Sequence, residues 1–91
     1  MGKIVAQSIH AARQFQHEHP EIEKQWFENS NYVVVLGVSN EIELNQLVNK
    51  AKICKIQYSE FREPDLNYSL TAIALEPGRM SRKLCSKLKL V

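Results

Sequence analysis

Tyr32-Val33-Val34-Val35-Leu36-Gly37, followed by Asn40-Glu41-Ile42-Glu43-Leu44 and running on to Ala51, is the stretch from which the fold can be read. Its first residues are rich in β-branched side chains and apolar without alternation, the pattern of a strand covered on both faces. Asn40 then offers a side-chain oxygen to cap a helix, and Glu43, three residues on, completes a capping box. Leu44, Leu47, Val48 and Ala51 recur at helical spacing as a core-facing stripe that fades by Lys52. Residues 55–59 read as a second strand, giving a strand, helix, strand unit whose crossover should be right-handed and whose strands should be parallel.

Working outward, residues 60–68 are too few to hold a crossover helix, so the next strand, 70–75, is expected to return antiparallel. Glu76-Pro77-Gly78 stops it, and residues 80–88 read as a last helix with Met80, Leu84 and Leu88 inward. Upstream, a helix is predicted over 3–18, broken at His19-Pro20. Residues 21–27, with Ile22, Trp26 and Phe27 at helical spacing, form a second short helix in which Trp26 anchors the core. Helices alternating with buried strands argue a layered α/β domain. At 91 residues and 44% hydrophobic content the chain suits one modest core, so a single domain over 1–91 is expected.

The formal charge of +2 is too mild to point to nucleic acid, but its distribution is uneven. Arg79, Arg82, Lys83, Lys87 and Lys89 crowd the C-terminus, whereas Glu18, Glu21, Glu23 and Glu28 follow the first helix. The basic cluster suits RNA phosphates or an ordinary dipole-favoured helix end equally well. Cys54 and Cys85 show neither metal nor redox spacing and no secretory signal precedes them, so reduced thiols in a cytoplasmic protein are expected. The longest apolar run is far too short to cross a bilayer, and no membrane association is expected. His17-Glu18-His19 lacks a third ligand and points its histidines apart, so no metal is expected there.

The first helix carries the chemistry. Lys3, Gln7, His10 and Gln14 fall within an arc of roughly 60° and make one polar stripe. Ile4, Ser8, Ala11 and Phe15, with Val5, Ile9 and Ala12, fill the adjoining small and apolar arc, which is the side expected to be buried. Lys3 in the first turn adds a full charge to unpaired backbone donors, and this pairing suits an anion or a developing oxyanion. His10 has the chemistry to activate or orient water, although helix histidines are more often satisfied by structural partners. The amide of Gln7 does not titrate and suits positioning. No phosphate-cradling glycine loop and no nucleophile-elbow serine is present.

Gly2-Lys3-Ile4-Val5-Ala6-Gln7-Ser8-Ile9-His10-Ala11-Ala12 resembles the signature of the type II peptidyl-tRNA hydrolases, in which a Gly-Lys, small or apolar residues, Gln, two residues and His-Ala open the first helix. Trp26 before a turn, Val33-Val34-Val35, the helix after Asn40-Glu41, Thr71-Ala72-Ile73-Ala74-Leu75-Glu76-Pro77 and Lys87-Leu88-Lys89-Leu90 follow in matching order, so the likeness covers the chain. It implies a three-layer α/β/α sandwich with a small mixed β-sheet. It further implies cofactor-free hydrolysis of the ester joining a peptide to the terminal ribose of peptidyl-tRNA. Two departures stand out. Family members usually begin with an apolar strand before the Gly-Lys motif, so either an upstream start or a pairing partner chain is expected, with a homodimer one candidate assembly. The family's Asp-Ala-Gly-basic-Thr run is replaced by Tyr58-Ser59-Glu60-Phe61-Arg62-Glu63-Pro64-Asp65-Leu66. By resemblance Arg62 matches the basic residue, and Glu60, Glu63 or Asp65 supplies a carboxylate. The expected site is therefore Lys3, His10 and Glu63 as catalytic groups, with Gln7, Arg62 and Asp65 binding substrate. The alternatives are a non-catalytic relative that binds tRNA or protein, and an assembly module that recruits a strand by β-augmentation.

Overall fold

The computed structural model describes residues 2–30, 34, 36–38 and 40–90, without the side chains of residues 2–5 and 90. In chain order it contains α1 (Gly2–Glu18), α2 (Pro20–Asn29), β1 (Leu36–Gly37), α3 (Glu41–Ile53), β2 (Tyr58–Glu63), a 3-10 turn (Pro64–Leu66), β3 (Ser69–Leu75), α4 (Arg79–Leu84) and β4 (Lys89–Leu90). The class is α/β, as expected. Described pairings are both antiparallel, β2 with β3 and β1 with β4. The parallel ladder expected between 32–37 and the strand after α3, and with it a mixed sheet, is not among them. Much of that expectation falls on residues 31–33 and 35, which lie outside the described residues.

Helix α3 starts where its chemistry dictates: the Asn40 side chain accepts a hydrogen bond from the backbone N–H of Glu43 at 3.0 Å. Its end is equally defined. Lys55 adopts φ 59°, the Ile56 N–H reaches the Ala51 carbonyl at 2.9 Å and the Lys55 N–H that of Lys52 at 3.2 Å. That is a Schellman closure, with Ile56 and Ala51, both buried, as its apolar contact. Because residues 54–57 are spent on this exit, the next strand begins at Tyr58 rather than 55 and runs through Glu63, where a loop was expected.

A β-bulge sorts the hairpin's side chains. Phe61 pairs with Ala72 but Arg62 pairs with Leu70, so Thr71 is the extra residue. One face then carries Ser59, Phe61, Ala72 and Ala74 beneath α1, and the other carries Tyr58, Ile73 and Leu70 beneath α3. Leu44, Val48 and Leu70 form the core on the α3 side, with Val38, Tyr58 and Ile73 packed against it. On the α1 side Ala11, Phe15 and Ala72 are buried. Helix α2 lies on α1 and α4 on α3. The result is three layers, with the acidic α2 and the basic α4 in opposite outer ones.

The Leu70 N–H, at the bulge, donates to the Glu41 carboxylate at 3.0 Å, tying α3 to β3. Glu41→Ala leaves that donor without its charged acceptor, and urea unfolding should show a loss of about 1–3 kcal/mol. Two apolar expectations change. No residue of α2 is buried, so Trp26 covers the core only partly instead of anchoring it. Met80 is 50% exposed, whereas Leu84 and Leu88 are partly buried.

Candidate active site

Burial along α1 follows Gln7, Ala11 and Phe15, a row four residues apart, and leaves Ile9 and Ala12 exposed. The buried arc is thus rotated toward the polar stripe relative to the expected one. Its reason is at Gln7, only 8% exposed, whose amide is satisfied at both ends. Gln7 Nε2 donates to Glu63 Oε2 at 3.0 Å. Thr71 donates to Gln7 Oε1 at 3.3 Å, sharing its proton with the Phe61 carbonyl at 3.4 Å. A buried amide is tolerable when paired in this way. The bulge delivers Thr71 to this point, and β2 delivers Glu63.

Glu63 has a second structural duty. Its Oε1 accepts the Asp65 N–H at 3.3 Å, and its carbonyl accepts the Tyr68 N–H at 2.9 Å, bracing the turn. The turn closes through Asn67 and Tyr68, both in left-handed conformation, and Ser69 Oγ donates to the Leu66 carbonyl at 2.7 Å. The carboxylate therefore stands at a fixed position beside α1.

The remaining expected residues divide. His10, exposed, stacks on Phe61 with ring centroids 4.7 Å apart and planes at 15°. It faces the same side of the hairpin as Gln7. Arg62 points to the other face, where it pairs with Glu60 at 2.8 Å and donates to the Tyr68 carbonyl at 3.3 Å. Asp65 is exposed in the 3-10 turn. Neither Arg62 nor Asp65 is brought to Gln7. Lys3 belongs to the first turn of α1, one turn before Gln7 on the same stripe, and its side chain lies outside the described atoms.

Sequence reasoning missed Thr71, whose place at the site depends on a bulge that no local pattern announces. It also missed a second anchor of α1 on the hairpin. Buried Ser59 donates to Glu18 Oε1 at 2.5 Å, and Gln14 donates to Glu18 Oε2 at 2.8 Å. These two bonds, Ser59 foremost, hold the Glu18 carboxyl below its usual range against a smaller opposing effect of burial, with His19 and His17 adding to the lowering. His19 Nε2 lies 3.0 Å from the Tyr58 carbonyl and is placed to donate to it. A carboxyl with a depressed folded-state pKa contributes stability above its unfolded value and loses it as pH falls through the folded one. Urea unfolding between about pH 6 and pH 3 should therefore show acid destabilisation that is weaker in Ser59→Ala.

Among the described residues no three His, Cys, Asp or Glu side chains gather as a metal site requires, and no helix is long and apolar enough to cross a membrane. Comparison with curated proteins finds no match. The family model for peptidyl-tRNA hydrolase PTH2 matches residues 1–91, from the Gly-Lys motif through the bulged hairpin to the basic terminus. With the whole chain matched, the protein belongs to the peptidyl-tRNA hydrolase PTH2 family.

Proposed function

We propose that this chain hydrolyses the ester between peptide and tRNA in peptidyl-tRNA, releasing both. The observation that carries the reading is the Gln7 to Glu63 hydrogen bond, which joins the signature helix to the end of β2 and supports treating them as one site. Lys3 and the first N–H groups of α1 receive the oxyanion that develops as water attacks the ester carbonyl. Glu63, held in place by Gln7, accepts the proton of that water and returns it to the ribose oxygen as the oxyanion collapses and the ester C–O bond breaks. His10, stacked on Phe61, orients the substrate. Exposed Cys54 and partly buried Cys85 are both free thiols, which fits a reducing cytoplasm where translation supplies the substrate.

The test is release of tRNA from an N-blocked aminoacyl-tRNA by the full chain. Lys3→Ala should lower the rate by about a hundredfold or more, the scale of one lost oxyanion donor. Equal rates in wild type, Lys3→Ala and His10→Ala would remove the site assignment. A second reading, RNA binding without turnover, has one observation in its favour: both Glu63 oxygens already hold structural donors. Wild-type binding of tRNA that falls steeply with salt, together with no ester cleavage, would establish it.

A further inference from the structure

Beside the Gln7 and Glu63 junction lies an open pocket of about 330 Å³ lined by His10, Arg13, Gln14, His17 and Phe61. Nothing in the proposed chemistry uses Arg13 or His17, and Phe61 enters it only as the ring on which His10 stacks. Phe61 covers one face of the His10 ring, and His10 is nevertheless exposed, so its outer face is open to a third planar group. Arg13 follows one turn along α1 and His17 another, all three at spacings of three and four on one side. Gln14 is turned toward Glu18, whose carboxylate is bonded by Gln14 and Ser59. The pocket therefore offers a stacking platform with a guanidinium and an imidazole beyond it.

An aromatic face next to cationic donors selects a planar heteroaromatic ring carrying phosphate. Such pairing of stacking with backbone neutralisation is how single-stranded nucleic acid is held without reading its sequence. We propose that this pocket seats the unpaired terminal nucleotides of an RNA, with one base continuing the Phe61–His10 stack and the adjoining phosphate on Arg13. The proposal rests on the reading of the substrate as an RNA-linked ester, and it places the RNA end next to Glu63, where that ester would lie.

The experiment is fluorescence anisotropy with a short single-stranded RNA ending in adenosine, over a series of salt concentrations, paired with KM and kcat for peptidyl-tRNA. Phe61→Ala should weaken RNA binding at least about fivefold through the lost stack, and Phe61→Tyr, which keeps the ring, should bind as wild type does. Arg13→Ala should weaken binding and flatten the dependence of log K on log salt by about 0.7, one phosphate on a single strand. In turnover, Phe61→Ala and Arg13→Ala should raise KM far more than they lower kcat. Hydrolysis with KM unchanged in both variants would overturn the pocket and leave the hydrolase reading standing. RNA binding that depends on Phe61 and Arg13 without any hydrolysis would do the reverse. Free adenosine monophosphate displacing the RNA at equal concentration would overturn the assignment to an RNA end.

Discussion

Glu63→Gln is expected to slow ester cleavage by about 10²–10⁴-fold, the usual contribution of a positioned general base, while leaving the fold intact. The substitution keeps size and one acceptor oxygen, which can still take the Asp65 N–H and so keep the brace across residues 63–68, while an NH2 replaces the oxygen that accepts from Gln7 Nε2. What it removes is charge, basicity and that acceptor. Circular dichroism and thermal unfolding on the same preparation should match the wild type, and single-turnover release of tRNA should not. A full loss of folding would place Glu63 in the architecture alone, and a rate within twofold of wild type would remove it from the chemistry.

Leu70→Ala is expected to lower stability by about 2–5 kcal/mol, the range for truncating a buried leucine. Leu70 is 2% exposed and sits with Leu44 and Val48 at the contact of α3 with the hairpin. In a chain this short the melting temperature should drop by roughly 10–20 °C or more, since each kcal/mol is worth several degrees. Its backbone N–H remains bonded to Glu41, so the loss reports apolar packing. The effect reaches the site as well. Leu70 precedes the bulge that presents Thr71 to Gln7, and a cavity beneath it loosens the register that places Thr71. Leu70→Val should recover most of the stability.

Elements written in strong local chemistry were legible in the sequence. The start of α3 follows from Asn40 and Glu43, its core stripe from Leu44, Leu47, Val48 and Ala51, and the antiparallel return of β3 from the short connection before it. The basic and acidic clusters do occupy different layers. Features that depend on tertiary context were not legible. The Schellman exit at Lys55 moved the start of β2, although lysine gives no hint of a left-handed conformation. Burial on α1 turned toward Gln7 because two partners, Glu63 and Thr71, arrive from residues more than fifty positions away. Arg62 looked like a site residue by its place in the chain, but strand alternation and the bulge aim it at Glu60 on the opposite face. The polar stripe itself held together in part: Gln7 and His10 both face the hairpin, one bonded to Glu63 and the other stacked on Phe61.

In the proposed function α1 and the end of β2 act as one catalytic unit through Gln7 and Glu63. Its most direct test is a double-mutant cycle on Gln7→Ala and Glu63→Gln, read by single-turnover release of tRNA from an N-blocked aminoacyl-tRNA. The double variant should be hardly slower than Glu63→Gln alone, because Gln7 works by holding that carboxylate. Two effects that simply multiply, or a wild-type chain that releases no tRNA, would contradict it.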